Sequence, residues 1–147
     1  MHIPIKSGAI IPFLILLPNL IWFLVPHPAS DNATVPLALN IAENIGRVAI
    51  IIIPFFYSLT LGRRFSIVAL VIACLALAFY YAAWIRYFAG GRATALLGAA
   101  FIGIPLPLAV APVVLLIASA YLLGSWPLLA ASMWFGIAHI WVTTLTL

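Results

Sequence analysis

The chain has 147 residues, of which 67% are hydrophobic and only 5% are charged, and its mean hydropathy is +1.32. Soluble domains are about half apolar and about a quarter charged. Six basic and two acidic residues cannot keep such a surface in water, which excludes a soluble enzyme, a disordered tail and a nucleic-acid-binding module. We therefore predict an all-α integral membrane protein, with one multipass domain over residues 1–147.

Five windows are long and apolar enough to cross a bilayer, which takes about 20 mostly apolar residues. Prolines and glycines mark most of their ends, while Pro12, Pro18 and Pro54 fall inside them and predict kinks. The stretch 89–105 is too apolar for a free loop and too rich in glycine for a span, so we expect a short interfacial or re-entrant helix there. The prediction is a bundle of about five transmembrane helices. The windows cover residues 8–25, 37–61, 65–88, 106–123 and 127–146.

Basic residues in the connecting loops predict the orientation of the bundle, because lysine and arginine favour the cytoplasmic side. With the N-terminus inside, Lys6, Arg63 and Arg64 face the cytoplasm, whereas Arg86 and Arg92 face outward. Three basic residues against two favour a cytoplasmic N-terminus. We expect the protein in the plasma membrane.

Metal and cofactor signals are missing from the sequence. His2, His27 and His139 are not spaced as metal or haem ligands, and Cys74 has no second cysteine to pair with. The basic residues are spread along the chain and form no nucleic-acid-binding face. We therefore expect no metal, no cofactor and no nucleic acid; the expected partners are the lipid bilayer, a small-molecule or lipid ligand, and a second copy of the chain.

The second predicted helix gathers the polar residues that are expensive at membrane depth. Asn40, Glu43, Asn44 and Arg47 lie at about 0°, 300°, 40° and 340° around its axis, and so form one stripe. Glu43 and Arg47 have the i,i+4 spacing that favours an ion pair. The pair either fixes the helix to a neighbour, or Glu43 is a proton or cation site. If the helix starts later, Glu43 instead lies in the wet interface.

Two other predicted helices carry candidate site residues. Tyr80, Trp84 and Tyr87 lie within about 60° of one another near the end of the third helix. They form either an aromatic belt at the membrane interface or the wall of a pocket. In the last helix, His139 is either a satisfied hydrogen-bonding partner or a site residue.

These candidate residues all fall in one half of the membrane once the predicted helices alternate in direction. A bundle with a purely structural role has no need to gather an acid, a histidine, several amides and aromatic hydroxyls at one level. We therefore predict a polar pocket that opens to that face and is lined mainly by the second, third and fifth spans. Its proposed ligand-binding residues are Asn40, Glu43, Asn44, Arg47, Tyr80, Trp84, Tyr87 and His139.

Three functions remain open from the sequence. The first is binding or transport of a small amphiphilic or cationic molecule, with Glu43 as acceptor beside an aromatic wall. The second is a membrane-embedded enzyme that acts on a lipid or isoprenoid, with Glu43 and His139 as acid and base. The balance is against an enzyme, because the chain has neither a nucleophile motif nor a metal set. The third is a structural or assembly subunit.

Overall fold

The computed structural model describes residues 7–26 and 34–147, and within these ranges the fold is all-helical, without a β-strand. Lys6, His2, His27 and Asp31, on which parts of the charge and histidine arguments depend, lie outside the described residues. Four helical segments within the described ranges are long and apolar enough to cross a membrane, against the five predicted from the sequence; the helix in the fourth predicted window, Pro107–Leu123, is shorter. The α-helices are α1 (Ile10–Leu24), α2 (Leu37–Ile52), α3 (Ser66–Ala89), α4 (Ala95–Gly98), α5 (Pro107–Leu123) and α6 (Trp126–Thr146).

Two of the three prolines that the sequence analysis places inside spans lie near helix ends in the structure. The predicted second span, 37–61, is shorter in the structure, because α2 ends at Ile52 and a 3₁₀ turn, Ile53–Phe56, contains Pro54. Pro12 lies in the first turn of α1, where a missing backbone N–H removes no helical hydrogen bond. Of the three prolines, Pro18 is therefore the one that lies in the interior of an α-helix.

The stretch between α3 and α5 contains just one helical turn, α4, among the described residues. Arginines hold this segment to its neighbours. The Arg86 guanidinium donates to the carbonyl of Ala100 at 3.1 Å and lies 5.2 Å from the centre of the Phe101 ring. Arg92 donates to the carbonyl of Pro26 at 2.6 Å, which fixes the segment to the end of α1.

Four of the long helices pack in the order α3, α5, α6, α2, so that α5 contacts α3 and α6, and α6 contacts α5 and α2. Glycines permit the two contacts made by α6. A Cβ atom at Gly46 of α2 would lie 2.9 Å from the Cα of Phe135, and one at Gly136 would lie 2.7 Å from a methyl group of Val113 in α5. These helices approach each other closely because the glycines leave room for backbone or a branched side chain.

One end of the bundle is closed by hydrogen bonds between segments far apart in sequence. The Ser7 hydroxyl accepts from the amide of Leu59 at 2.9 Å, and Thr60 donates its amide to the carbonyl of Leu122 at 2.9 Å. The Arg63 guanidinium donates to the carbonyl of Tyr121 at 3.0 Å, and this carbonyl also accepts from the amide of Gly124 at the end of α5. The start of α1 and the ends of α2 and α5 therefore meet at this basic end.

The outer faces of the helices are apolar. Phe23, Ile67 and Ile137 each expose between 67% and 74% of their surface, although they are large hydrophobic residues. Such continuous apolar exposure is normal against lipid and exceeds what a soluble monomer presents to water. Long apolar helices with apolar outer faces indicate a membrane protein.

Candidate functional site

Glu43 lies at the centre of a three-residue polar group between α2 and α6. Its Oε1 atom accepts a hydrogen bond from Arg47 Nη2 at 2.6 Å and lies 2.8 Å from His139 Nδ1. The Glu43 side chain is 6% exposed, whereas those of His139 and Arg47 are 23% and 47% exposed. The carboxylate is therefore enclosed, and its two partners lie between it and the surroundings.

The close contact of α2 with α6 brings these three residues together. Gly46 packs against the backbone at Phe135, one turn of α2 after Glu43 and one turn of α6 before His139. The Phe135 ring also stacks on the His139 imidazole, with ring centres 4.8 Å apart. Helix α6 further donates from Trp134 Nε1 to the carbonyl of Ala42 at 2.9 Å. The hydrogen bond to Glu43 and the stacked Phe135 ring together orient the His139 imidazole.

The two asparagines of the α2 stripe form their own exposed pair. Asn44 Nδ2 donates to Asn40 Oδ1 at 2.6 Å and to the Asn40 carbonyl at 2.9 Å. Arg47 Nη1 makes a long 3.4 Å contact with Asn44 Oδ1. The stripe therefore continues outward from Glu43, and the asparagines reach the buried carboxylate only through Arg47.

A second polar group joins α3 to α1. Asn19 Nδ2 donates to the Tyr80 hydroxyl at 2.7 Å, and that hydroxyl donates in turn to the carbonyl of Ile15 at 3.1 Å. Trp22 Nε1 donates to the Tyr87 hydroxyl at 3.0 Å, one turn further along. Pro18 has no backbone N–H, so it leaves the carbonyl of Leu14 without a helical donor, and the Tyr81 hydroxyl donates to that carbonyl at 2.9 Å.

The aromatic residues of α3 face the bundle. Tyr80, Trp84 and Tyr87 expose at most 6% of their surface. Trp84 packs edge-on against both tyrosine rings, with centres 6.4 Å and 5.6 Å away, and stacks on Phe88. Its indole Nε1 is buried and has no hydrogen-bond partner within the described ranges. These three side chains therefore pack inside the bundle and are not displayed on its outer surface.

A partly enclosed cavity of about 380 Å³ lies between these two polar groups, with α1 on one side and α2 and α6 on the other. Helices α3 and α5 form its floor. Asn19, Arg47, Tyr80 and His139 supply its polar lining. The rest of the wall is mainly apolar and comes from α1, α2, α5 and α6, with Ile15, Trp22, Ile50, Leu116 and Phe135 among its members.

Three of the eight residues proposed from sequence, Arg47, Tyr80 and His139, line this cavity. Glu43 does not line the cavity but bonds two of these residues, Arg47 and His139. The other four, Asn40, Asn44, Trp84 and Tyr87, are not part of its wall. The sequence argument missed the contribution of Trp22 and Trp134 to the site, because a tryptophan in a membrane helix gives no sign of which backbone or hydroxyl its indole will meet.

Metal-binding groups do not gather anywhere in the described part of the chain: it holds no cluster of three or more histidine, cysteine, aspartate or glutamate side chains. Cys74 is exposed on α3. Among residues 7–26 and 34–147, histidine and glutamate meet only as the His139–Glu43 pair, with Arg47 as the third member.

The class that fold and site define is an all-helical membrane protein with a polar-and-apolar cavity inside its helix bundle. The chain matches no family model, and no curated protein or solved structure matches it either. The functional argument therefore depends on the geometry of the cavity.

Proposed function

We propose that this protein binds, and as an oligomer transports, a small amphiphilic molecule in the cavity beside Arg47 and His139. The observation that carries the proposal is the mixed wall of the cavity, which is largely apolar but has a polar end at Arg47 and His139 and a second polar group, Asn19 and Tyr80, on the opposite side. A volume of about 380 Å³ falls within the range of roughly 300–1,000 Å³ that is usual for small-molecule sites. A molecule with an apolar chain and a polar head matches both parts of the wall.

The cavity also has a route for a ligand from the lipid phase. Helix α1 packs on α3 and α5, whereas α2 packs mainly on α6, so the cavity occupies the space between α1 and α2. Phe23 lines it from α1 and is 74% exposed on the outer surface of the bundle. An amphiphile dissolved in the bilayer would enter sideways between these helices, and a second copy of the chain would complete an alternating path.

The proposed membrane arrangement has five spans. Helix α5 has 17 residues and would extend about 26 Å, close to the ~30 Å hydrocarbon core. The glycine at its end, Gly124, adopts a left-handed conformation with φ of 62° and turns the chain directly into α6. We place the N-terminus in the cytoplasm at the plasma membrane, with α4 at the opposite interface, because Arg63 and Arg64 lie at the end where α1 starts.

Photolabelling tests the proposed binding site. Three amphiphiles with the same ten-carbon, diazirine-bearing chain and a carboxylic acid, an alcohol or a trimethylammonium head would be crosslinked to the purified protein in nanodiscs. We expect saturable labelling of α1 and α5 by at least one of them. Ile51→Phe fills the cavity and should abolish that labelling, whereas Ile52→Phe, on the exposed neighbouring position, should not.

Equal, non-saturable labelling of both variants by all three probes would contradict the proposal and favour a purely structural role for the polar residues.

A second candidate function, an enzyme acting on a lipid, is favoured by the 2.8 Å contact of Glu43 with His139 Nδ1, which leaves Nε2 as a general base. Turnover of an ester amphiphile by the wild type, lost in His139→Asn, would support that candidate.

A further inference from the structure

The polar end of the cavity is lined by hydrogen-bond donors and by one basic nitrogen, with no carboxylate in its wall. Arg47 and His139 line the cavity, while Glu43 lies behind them and accepts from both. Glu43 is the only acidic side chain within the described ranges. A cationic head group would therefore meet the Arg47 guanidinium before it met any acid.

Arg47 keeps donors available for a ligand. Its guanidinium carries five N–H groups. One is used at 2.6 Å by Glu43 and another is directed to Asn44 over a long 3.4 Å contact. The side chain is 47% exposed and lies in the cavity wall, so the remaining N–H groups can meet a ligand oxygen there.

His139 offers the complementary group. The Glu43 carboxylate can only accept a hydrogen bond, so the proton of the neutral imidazole lies on Nδ1. Nε2 then has a free lone pair, and no partner occupies it within the described residues. The wall thus presents an acceptor, His139 Nε2, beside the donors of Arg47.

We propose that the ligand is a single-chain amphiphile with a carboxylic acid head group. Its carbonyl oxygen accepts from the Arg47 guanidinium, and its O–H donates to His139 Nε2, while the chain lies along Ile15 and Leu116. This inference rests on the proposed function and adds the class of head group. An undissociated carboxylic acid is a donor and an acceptor joined at one carbon, which matches the two groups in the wall.

Charge balance supports a carboxylic acid over a head group with a fixed charge. Arg47 and Glu43 neutralise each other, and an acid that is hydrogen-bonded to His139 adds no net charge to the cavity, whichever of the two holds the proton. Burying an unpaired charge would cost several kcal/mol. The Tyr80 hydroxyl faces the same cavity from α3, but it already accepts from Asn19 and donates to Ile15, so it does not compete for the ligand proton.

The test compares affinities of ten-carbon ligands in competition with the photoprobe. Decanoic acid, decanol, decyltrimethylammonium and decyl phosphate are titrated against the wild type, Arg47→Gln, His139→Asn and Asn44→Ala. His139→Asn retains an N–H for Glu43 but removes Nε2. We expect decanoic acid to bind at least 10-fold more tightly than decanol to the wild type and to Asn44→Ala, and we expect the ratio of these two affinities to fall toward one in Arg47→Gln and His139→Asn.

The outcomes separate the two proposals. If decanol and decyltrimethylammonium bind as tightly as decanoic acid, or if decyl phosphate binds more tightly, the carboxylic acid assignment is overturned while the binding function stands. If no ligand displaces the probe from the cavity, both proposals fail. Asn44→Ala is the matched control, because Asn44 contacts Arg47 but does not line the cavity. A loss of acid preference in this variant would contradict the assigned contacts.

Discussion

The contact between Glu43 and His139 predicts a measurable energetic coupling between α2 and α6. The perturbation is a double-mutant cycle that combines Glu43→Ala with His139→Ala. The two side chains meet at 2.8 Å and are 6% and 23% exposed, so their bond is shielded from solvent. Hydrogen bonds to charged groups contribute about 1.5–3 kcal/mol, so we expect a coupling free energy of about 1–2 kcal/mol after relaxation of the site.

The second bond of Glu43 contributes less. Arg47 is 47% exposed and can turn its guanidinium toward Asn44 or the surroundings when the acid is removed. Exposed ion pairs are worth about 0–1 kcal/mol. Glu43→Ala alone should therefore lower the free energy of unfolding by about 1–3 kcal/mol, with most of the loss arising at His139.

The assay is equilibrium unfolding of the detergent-solubilised protein by an increasing mole fraction of SDS, followed by circular dichroism. The matched control cycle pairs Asn44→Ala with His139→Ala, since Asn44 lies beside Glu43 on α2 but bonds only to Asn40 and Arg47. This cycle should be additive within about 0.5 kcal/mol. A coupling between Glu43 and His139 no larger than that of the control would refute the reasoning.

Two further variants and one labelling experiment test the packing of the helices. Gly46→Ala should cost about 1–3 kcal/mol, because its methyl group would lie 2.9 Å from the backbone of Phe135; Gly62→Ala, with nothing within 4 Å, is the control, and equal losses would disprove the close contact. Trp84→Phe removes a buried N–H that has no partner within the described residues, so it should lower the free energy of unfolding by less than about 1 kcal/mol or raise it. A loss above about 2 kcal/mol in the same SDS assay would reveal a hydrogen bond at the indole. Exposed Cys74 should react in proteoliposomes with a lipid-soluble maleimide but not with a charged one, and rapid reaction with the charged reagent would contradict a lipid-facing α3.

Sequence periodicity predicts the stripe on α2 well, because a helical repeat fixes which side chains share a face. Glu43 and Arg47 meet at 2.6 Å as their i,i+4 spacing predicts. The one-sidedness of Tyr80, Trp84 and Tyr87 likewise predicts burial, and all three are buried. Periodicity does not show which residues of a polar stripe line a cavity. Asn40 and Asn44 share the stripe with Arg47 but do not line the cavity.

Helix ends are harder to read from an apolar sequence. The predicted second span continued through Pro54 because the residues around it are hydrophobic, yet α2 ends at Ile52. Proline removes a backbone donor, and the chain turns there so that Tyr57 can accept from the amide of Gly8 at 3.2 Å. That partner is distant in sequence and gives no local signal.

The sequence by itself determined the class of protein and the polar helix faces. Composition and hydropathy require apolar surroundings, and the 3.6-residue repeat places Glu43 beside Arg47. Only the tertiary structure decided that His139, 96 residues away, bonds the same carboxylate oxygen, and that Asn19 and Tyr80 close the opposite side of one cavity. The reason is physical: periodicity orients side chains around a single helix axis, whereas Gly46 against Phe135 sets which two helices meet and at what depth.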